Sequence, residues 1–542
     1  MLFSPQVEVP ISTQDIASFV LDNPKYDVDK PIYIDALDQS RWYSGRKAYT
    51  AVRRLVAGFH ALGLKQGDCV LINSMADIDY SILFLSIIAA GGIVCGSNPY
   101  YSEAESLHQL KQVTPRFIFT EAEFLEKMQS CAAKCEIGYN RIFIFDHGDP
   151  TIPGGFRSWR QLLEYGDSDW VRFAGDKTSR HTVAAYVMSS GTTGLPKAVI
   201  LSHHNIVAAL TLGYDQERKD FEVRRILCLP QFATAAIYSN HFCPLRHGEV
   251  CFVMRRYETT AFLQNISKFS ITEISVLPPI LVQVLQNSLA TKETLKSLRY
   301  VHGGGAAMPK TLVDRLKSLL PKGTPCTSIW GLSEASGIGT CFFWPEHDDT
   351  GSIGRLLPGL SAKLIDGEGN DTSEFNIRGE LCIKGPTVML GYLNDAGSTN
   401  ATIDPEGWLR TGDICYCDAQ TKKWYIVDRI KDLIKVNAFQ VAPAELEEIL
   451  LQHPDIADAA VIGIDVPEAA TELPRAYVVP HQSVGADLTE DMVKAFVAAK
   501  VVKYKRLEGG VRFVSSIPKA ASGKILKNPL RDLVRKESKA KL

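Results

Sequence analysis

The sequence predicts an α/β protein in two parts: a large N-terminal domain of layered α/β sheets and a small α+β domain at the C-terminal end. Three observations carry that expectation. The chain has 542 residues, well beyond the roughly 250–300 at which single hydrophobic cores stop growing, so at least two domains are required. Through most of its length apolar, β-branched runs alternate with amphipathic stretches, the pattern of strands and helices in largely parallel sheets. The pattern then changes near Tyr425–Lys435 (YIVDRIKDLIK), where a strand-like run meets a charged turn and shorter, mixed elements follow.

In chain order, strands are expected at Cys69–Asn73, Phe117–Thr120, Arg141–Phe145 and Val250–Met254, short runs rich in Val, Ile and Phe. Helices are expected at Tyr49–Leu62 and Ala261–Phe269, where apolar residues recur at helical spacing. The most apolar stretch, Ser81–Gly96, falls short of the ~20 residues that span a bilayer. Gly91-Gly92 also breaks it, so it reads as a buried helix passing into a buried strand, and no membrane span is expected. Further on, Ala442–Leu451 reads as a helix with Pro443 at its start and Glu445, Glu447 and Glu448 early. Strands at Ala459–Ile464 and Ala476–Val479 and a helix at Asp487–Val502 complete a unit of about a hundred residues, an ordinary domain size. The boundary is placed at about Arg429–Lys431, giving domains 1–429 and 430–542.

Composition narrows the function. Hydrophobic residues make up 45% and charged residues 22%, with a formal net charge of −2. That balance leaves no electrostatic footprint for nucleic acid or an anionic membrane. The twelve cysteines are scattered. The close pairs Cys131/Cys135 and Cys415/Cys417 are not CxxC, and none joins a histidine at zinc-ligand spacing, so reduced, mostly buried thiols are expected. The N-terminal MLFSPQVEVP lacks the basic region and apolar run of a secretory signal. An intracellular protein is expected.

The most informative segment is Val187–Val199, VMSSGTTGLPKAV. A β-type run, Ala184–Met188, delivers the chain into Ser189, Ser190, Gly191, Thr192, Thr193, Gly194, Leu195, Pro196 and Lys197. Small hydroxyl residues and glycines let backbone amides and side-chain hydroxyls converge on phosphate oxygens, and a lysine can neutralise them. A Walker-type loop needs Gly before its lysine and Ser or Thr after it. Here Pro196 precedes Lys197 and Ala198 follows, so that motif fails.

SSGTTGLPK resembles the signature of the adenylate-forming superfamily: acyl-CoA synthetases, 4-coumarate–CoA ligases, firefly luciferase and the adenylation domains of peptide synthetases. Further motifs of that family follow in order. They are Gly304-Gly305-Ala306-Ala307, Ile329–Glu334 (IWGLSE), Gly379–Asn394 (GELCIKGPTVMLGYLN), Gly407–Asp413 (GWLRTGD), Val427–Lys435 (VDRIKDLIK), Gln440–Glu447 (QVAPAELE) and Pro518–Lys524 (PKAASGK). The spacing is most similar to that of 4-coumarate–CoA ligase-like acid–thiol ligases.

The resemblance implies ATP, Mg²⁺ and coenzyme A as reactants and cofactors. A carboxylate would attack the α-phosphate of ATP and expel pyrophosphate, and the acyl-adenylate would pass its acyl group to a thiol. Both reactants of the first step are anions, so cationic groups must screen them. By resemblance, Ser189–Lys197 would take the phosphates and Glu334 would help hold Mg²⁺, with Ser333 keeping the hydroxyl of the family's usual threonine. Asp413 would accept the ribose hydroxyls with Arg429 beside it. Ala306, Ser328, Ile329 and Trp330 would line the adenine and acyl pocket, and Gln440 would join the nucleotide site. Lys524 would bridge carboxylate and α-phosphate, a task suited to a compact charge on a long stem. The small domain would be mobile, rotating about Lys431 to withdraw Lys524 and present Lys435 and Gln440 for thioester formation.

The chain departs from the family pattern at three places. Ala233 follows Leu229-Pro230-Gln231-Phe232 where histidine is common, Ala198 replaces a glycine, and Asn437-Ala438 replace a basic residue and a glycine that contact coenzyme A. Ala233, Ala235, Gly303, Gly331, Gly337 and Ile338 correspond to acyl-pocket positions. They are small and apolar, with no charge to pair a second polar group, and imply a slot for an aryl or medium-chain acid. The expected function is an ATP-dependent acid–CoA ligase. The alternative is an adenylating enzyme that serves a carrier-protein thiol or another acceptor, which Asn437 and Ala438 keep open. The final Ala540-Lys541-Leu542 is a variant of the Ser-Lys-Leu address read by the peroxisomal import receptor, so a peroxisomal protein is expected, with the cytoplasm as the alternative.

Overall fold

The computed structural model describes residues 2–5, 7–148, 152–189, 196–227, 229–304, 310–429, 432–436, 439–466, 471–481, 488–501, 503–519 and 523–540. Two large sheets form the N-terminal part. The first has eight strands in the order Gly391–Tyr392, Lys197–Ser202, Val183–Ser189, Ile93–Ser97, Cys69–Asn73, Phe117–Thr120, Ile142–Ile144, Arg157–Ser158. Its strands run parallel from Val183–Ser189 to Arg157–Ser158, and the two before them are antiparallel. The second has seven strands: Cys326–Ser328, Tyr300–Gly303, Glu273–Val276, Arg224–Leu227, Val250–Val253, Pro31–Asp35, Trp42–Ser44. All of its pairings are parallel except the last.

Helices cover these sheets as the periodicity requires. The helix expected at Tyr49–Leu62 starts earlier, at Gly45, because the Ser44 hydroxyl accepts from Lys47 N–H and caps it. Its face Ala48, Val52, Leu55, Val56 and Phe59 is fully buried, each large side chain contributing about 1.5–3 kcal/mol. The stretch Ser81–Gly96 resolves into helix Ile78–Ala89, buried at every position, and strand Ile93–Ser97. Gly91 makes the turn between them at φ +84. Among the described residues no helix is long and apolar enough to cross a membrane.

The two large sheets are largely parallel as expected, and a third, antiparallel sheet joins them. Ser361–Ile365, Gly379–Lys384, Leu409–Cys417 and Trp424–Arg429 pair antiparallel throughout. Trp424–Arg429, which marks the change of pattern in the sequence, is its last strand and brings the chain to the C-terminal unit.

That unit has its own core, built from Leu446, Leu450, Ile456, Val461, Val478, Val493 and Val497. Helix Pro443–Leu450 lies within the expected span, and the strands extend to Ile456–Val466 and Thr471–Pro480. The helix expected at Asp487–Val502 is Glu490–Ala498, started by Thr489, whose hydroxyl accepts from Met492 N–H. All eleven described cysteines are free, ten buried and Cys135 half-buried.

Candidate active site

Strand Val183–Ser189 ends on a cavity of about 990 Å³ whose wall includes Ser189, Lys197, Glu334, Arg429 and, from the C-terminal unit, Lys524. Glu334 sits in a tight turn, Ser333–Ala335, and is 8% exposed. Its Oε1 accepts from Ser189 Oγ and from Tyr392 Oη, each at 2.8 Å. Burial, and then the neighbouring carboxylate, push the Tyr392 phenol above its ordinary range, so it stays a donor. Tyr392 reaches this position because its strand pairs antiparallel with Lys197–Ser202, setting Tyr392 opposite Val199. Ser333 is held in turn by Thr234, oxygen to oxygen at 2.6 Å.

Lys197 is also on the wall, and its ammonium is engaged. Nζ donates to Ser398 Oγ and lies 3.6 Å from Asp395 Oδ2, at the capped start of helix Ala396–Thr402. Ala198, in place of the family glycine, is 1% exposed within the core beside that strand, so its methyl group fills packing space and does not meet the cavity.

Asp413 and Arg429 face each other across the antiparallel pair Leu409–Cys417 and Trp424–Arg429. Arg429 Nε lies 3.1 Å from Asp413 Oδ1, and Trp330 Nε1 donates to Oδ2 at 2.9 Å. Asp413 is 3% exposed, behind Thr411 and Gly412, which are on the wall. A carboxylate has about four lone-pair sites, so two partners leave acceptor capacity. Lys524 is half-buried, and burial, reinforced by the Arg429 charge, lowers its ammonium to about 8.

Not every residue named from sequence is brought in. Trp330 is buried and serves Asp413, while Ser328 faces a separate small cleft beside Lys310, Asp314 and Lys317. Ile329 is on the cavity wall. Ser190, Gly191, Thr192, Thr193, Gly194, Ala306, Lys431, Asn437 and Ala438 lie outside the described residues, as do the side chains of Ala235, Lys435 and Gln440 and residues Lys541 and Leu542. The backbone sets Lys435 directly opposite Gln440 in the hairpin Ile434–Val436 and Phe439–Val441.

The acyl positions Ala233, Gly303, Gly331, Gly337 and Ile338 all reach the wall. Gly331 is small for backbone reasons: a Cβ there would stand 2.2 Å from Gly337 O. The expectation of a wall without charge is corrected. Glu217, Arg225, Glu273 and His302 also line the cavity. Arg225, Glu273 and His302 come from three neighbouring parallel strands, and only the register of that sheet unites them. Sequence reasoning missed this group, and also Tyr392, Ser398 and Asp395; Tyr392 alone stood within a quoted motif.

Among the described residues no three or more His, Cys, Asp or Glu side chains cluster to hold a metal ion. Mg²⁺ keeps several waters and is commonly bound through one or two carboxylates and substrate phosphates. Glu334, buried and hydrogen-bonded to Ser189, fits that mode.

Comparison with known proteins shows the family. The family described as AMP-binding enzyme matches residues 22–393, and its C-terminal domain matches residues 445–524. The chain is 46% identical over 536 residues to phenylacetyl-CoA ligase epaB of Aspergillus niger, covering 98% of this chain and 99% of that one. It is likewise 46% identical over 534 residues to acyl-CoA ligase azaF of Aspergillus niger, covering 98% and 100%. Its fold matches the anthranilate CoA ligase AuaEII in complex with anthranoyl-AMP at a TM-score of 0.87 and 22% identity, over 98% of this chain and 99% of that one.

Proposed function

The chain belongs to the AMP-binding enzyme family, and we propose that the acid it activates is an aryl or medium-chain carboxylate. The protein is an ATP-dependent acid–CoA ligase: it forms an acyl-adenylate, releasing pyrophosphate, and transfers the acyl group to coenzyme A, releasing AMP. The observation that carries the site assignment is the meeting of Ser189, Glu334, Arg429 and Lys524 on one cavity wall continuous with Gly337 and Ile338.

In this reading the large domain, 1–429, binds ATP and acid, and the small domain, 430–542, turns about Lys431 between the half-reactions. Arg429 and the Asp413 carboxylate, oriented by Trp330, fix the ribose. Ser189 and Lys197 face the phosphates. Lys197 must exchange Ser398 and Asp395 for phosphate oxygens, which stay anionic as its partners. Mg²⁺, held by Glu334, would supply charge neutralisation at the phosphates. Lys524 brings an ammonium that burial has already partly stripped of water, so its attraction to carboxylate and α-phosphate oxygens is strong. Closure over the adenylate keeps water from a reactive mixed anhydride. Lys435 and Gln440 then face the adenylate for the thiol step.

The acid class is supported by the small residues at the cavity wall and by phenylacetate in the name of one relative. A pyrophosphate-release screen over aryl, medium-chain and long-chain acids tests it. Turnover confined to long-chain acids would overturn it. We place the protein in peroxisomes on Ala540-Lys541-Leu542; a reporter ending in the last dozen residues should enter that organelle, and a diffuse reporter would return it to the cytoplasm.

A further inference from the structure

Lys197 lines the cavity, yet the groups that hold its ammonium lie outside it. Its backbone is pinned twice: its strand pairs it with Ser189, and His108 Nε2 donates to Pro196 O at 3.0 Å. Only the side chain, a point charge on a flexible stem, can change partner. Nζ lies 5.2 Å from the centre of the Tyr392 ring, donates to Ser398 Oγ and stands 3.6 Å from Asp395 Oδ2. Tyr392 and Thr402 are on the cavity wall, whereas Asp395 and Ser398 are not. The ammonium is therefore held at the rim.

Asp395 is fixed where it meets that ammonium. It caps helix Ala396–Thr402 by accepting from Ser398 N at 2.9 Å through Oδ1, which leaves Oδ2 for Lys197. Thr399 Oγ1 donates to Asp395 O at 2.8 Å and accepts from Tyr392 N at 2.9 Å, so the helix start is fastened to the strand that carries Tyr392. Hydrogen bonds from Ser398, and then the Lys197 charge, hold the Asp395 carboxyl below its usual range, so it is an anion. A triphosphate entering the cavity thus meets a lysine that already has an anionic partner. The two side chains are 30% and 38% exposed, and an ion pair in such contact with water is weak enough to be exchanged.

We propose that Asp395 is a positioning residue for adenylation that acts through Lys197: it competes with phosphate for the ammonium, lowers affinity for ATP, and takes the lysine back as pyrophosphate leaves. This rests on the assignment of Lys197 to the phosphates made above. Pyrophosphate carries the same phosphoryl groups that ATP presented to the lysine. A lysine with no second partner would hold the product as firmly as the substrate, and release would slow. Asp395 gives the departing charge contact a ready replacement, and ATP binding bears the same competition.

The test uses the full-length enzyme with Mg²⁺ and reads two quantities: the Kd for ATP without acid, and the pyrophosphate concentration that halves acyl-CoA formation. Asp395→Asn keeps a side chain that can cap the helix and removes the charge. Both quantities should fall about two- to fivefold, the range expected for a part-exposed ion pair. Asp395→Glu, which keeps the charge, should lie closer to the wild type. In a Lys197→Ala background, Asp395→Asn should leave the Kd for ATP unchanged, because the partner is gone. If Asp395→Asn does not fold, Ser398→Ala, which removes the hydroxyl that accepts from Lys197 and keeps the backbone N–H, decides by the same two readings. A Kd for ATP that is unchanged or higher in Asp395→Asn, or a fall of the same size without Lys197, overturns the proposal alone. ATP binding that Lys197→Ala leaves unaltered overturns the assignment of Lys197 to the phosphates as well.

Discussion

Tyr392 and Ser189 donate to the same oxygen of Glu334, each at 2.8 Å, so one buried carboxylate ties the phosphate-loop strand to the strand that carries the Gly391-Tyr392 motif. The Tyr392 hydroxyl orients the group that would hold Mg²⁺. Tyr392→Phe should therefore raise the Mg²⁺ concentration for half-maximal adenylation and slow adenylation about tenfold. Hydrogen bonds to charged groups contribute about 1.5–3 kcal/mol, of which part is lost to solvent at this half-buried site. Mg²⁺ titration of ATP–pyrophosphate exchange measures the first effect. An unchanged Mg²⁺ dependence would remove Tyr392 from the site.

In the proposed mechanism Lys524 and Lys435 divide the chemistry between the two half-reactions. Lys524→Ala should lose acid-dependent ATP–pyrophosphate exchange while still converting supplied acyl-adenylate to thioester. Lys435→Ala should do the reverse. Equal damage to both steps in both variants would contradict rotation of the small domain between half-reactions.

Adenylation should depend on pH through Lys524. Its ammonium, lowered from 10.5 to about 8 chiefly by burial, is the form that can bridge two anions. That form is complete well below pH 8 and is lost as pH rises through about 8, so kcat/KM for adenylation should fall above that point. The fall steepens toward tenfold per pH unit. Bound ATP and acid, both anions, raise the pKa in the complex, so the limb for kcat lies higher. Lys524→Arg, charged throughout this range, should lack the descending limb. A wild-type profile flat to pH 9.5 would contradict the assignment.

Much of this site was legible because its parts are short contiguous strings. Glu334, Asp413 and Lys524 each sit in a motif whose resemblance to a known family implies Mg²⁺, ribose and carboxylate roles, and the structure brings Glu334 and Lys524 to one cavity. What stayed hidden depends on register and long-range contact. Tyr392 lies 58 residues from Glu334. Arg225 and Glu273 lie 48 residues apart and meet only because their strands run parallel and side by side. No local pattern encodes such a meeting, so a wall that reads as small and apolar gained a charged floor. The antiparallel sheet that carries Asp413 and Arg429 was hidden for a related reason. Its first three strands are separated by long connections, and pairing direction leaves no mark in composition.

Asn437 and Ala438 should weaken coenzyme A binding without abolishing it. Losing one exposed charge contact to a phosphate costs about 1 kcal/mol or less, and an added methyl group costs more only where backbone must approach closely or adopt φ > 0. Asn437→Lys with Ala438→Gly should lower the KM for coenzyme A and leave the KM for ATP nearly unchanged. A matching change in both would show that these positions act on the nucleotide site as well.

The most direct test of the whole account follows both half-reactions in one sample, with the purified enzyme, ATP, Mg²⁺ and a good acid from the screen. Without coenzyme A, the account predicts acid-dependent ATP–pyrophosphate exchange and enzyme-bound acyl-adenylate. On adding coenzyme A, AMP and acyl-CoA should appear in equal amounts at a rate that saturates with coenzyme A. Adenylate that forms but yields no thioester even at high coenzyme A would contradict the account.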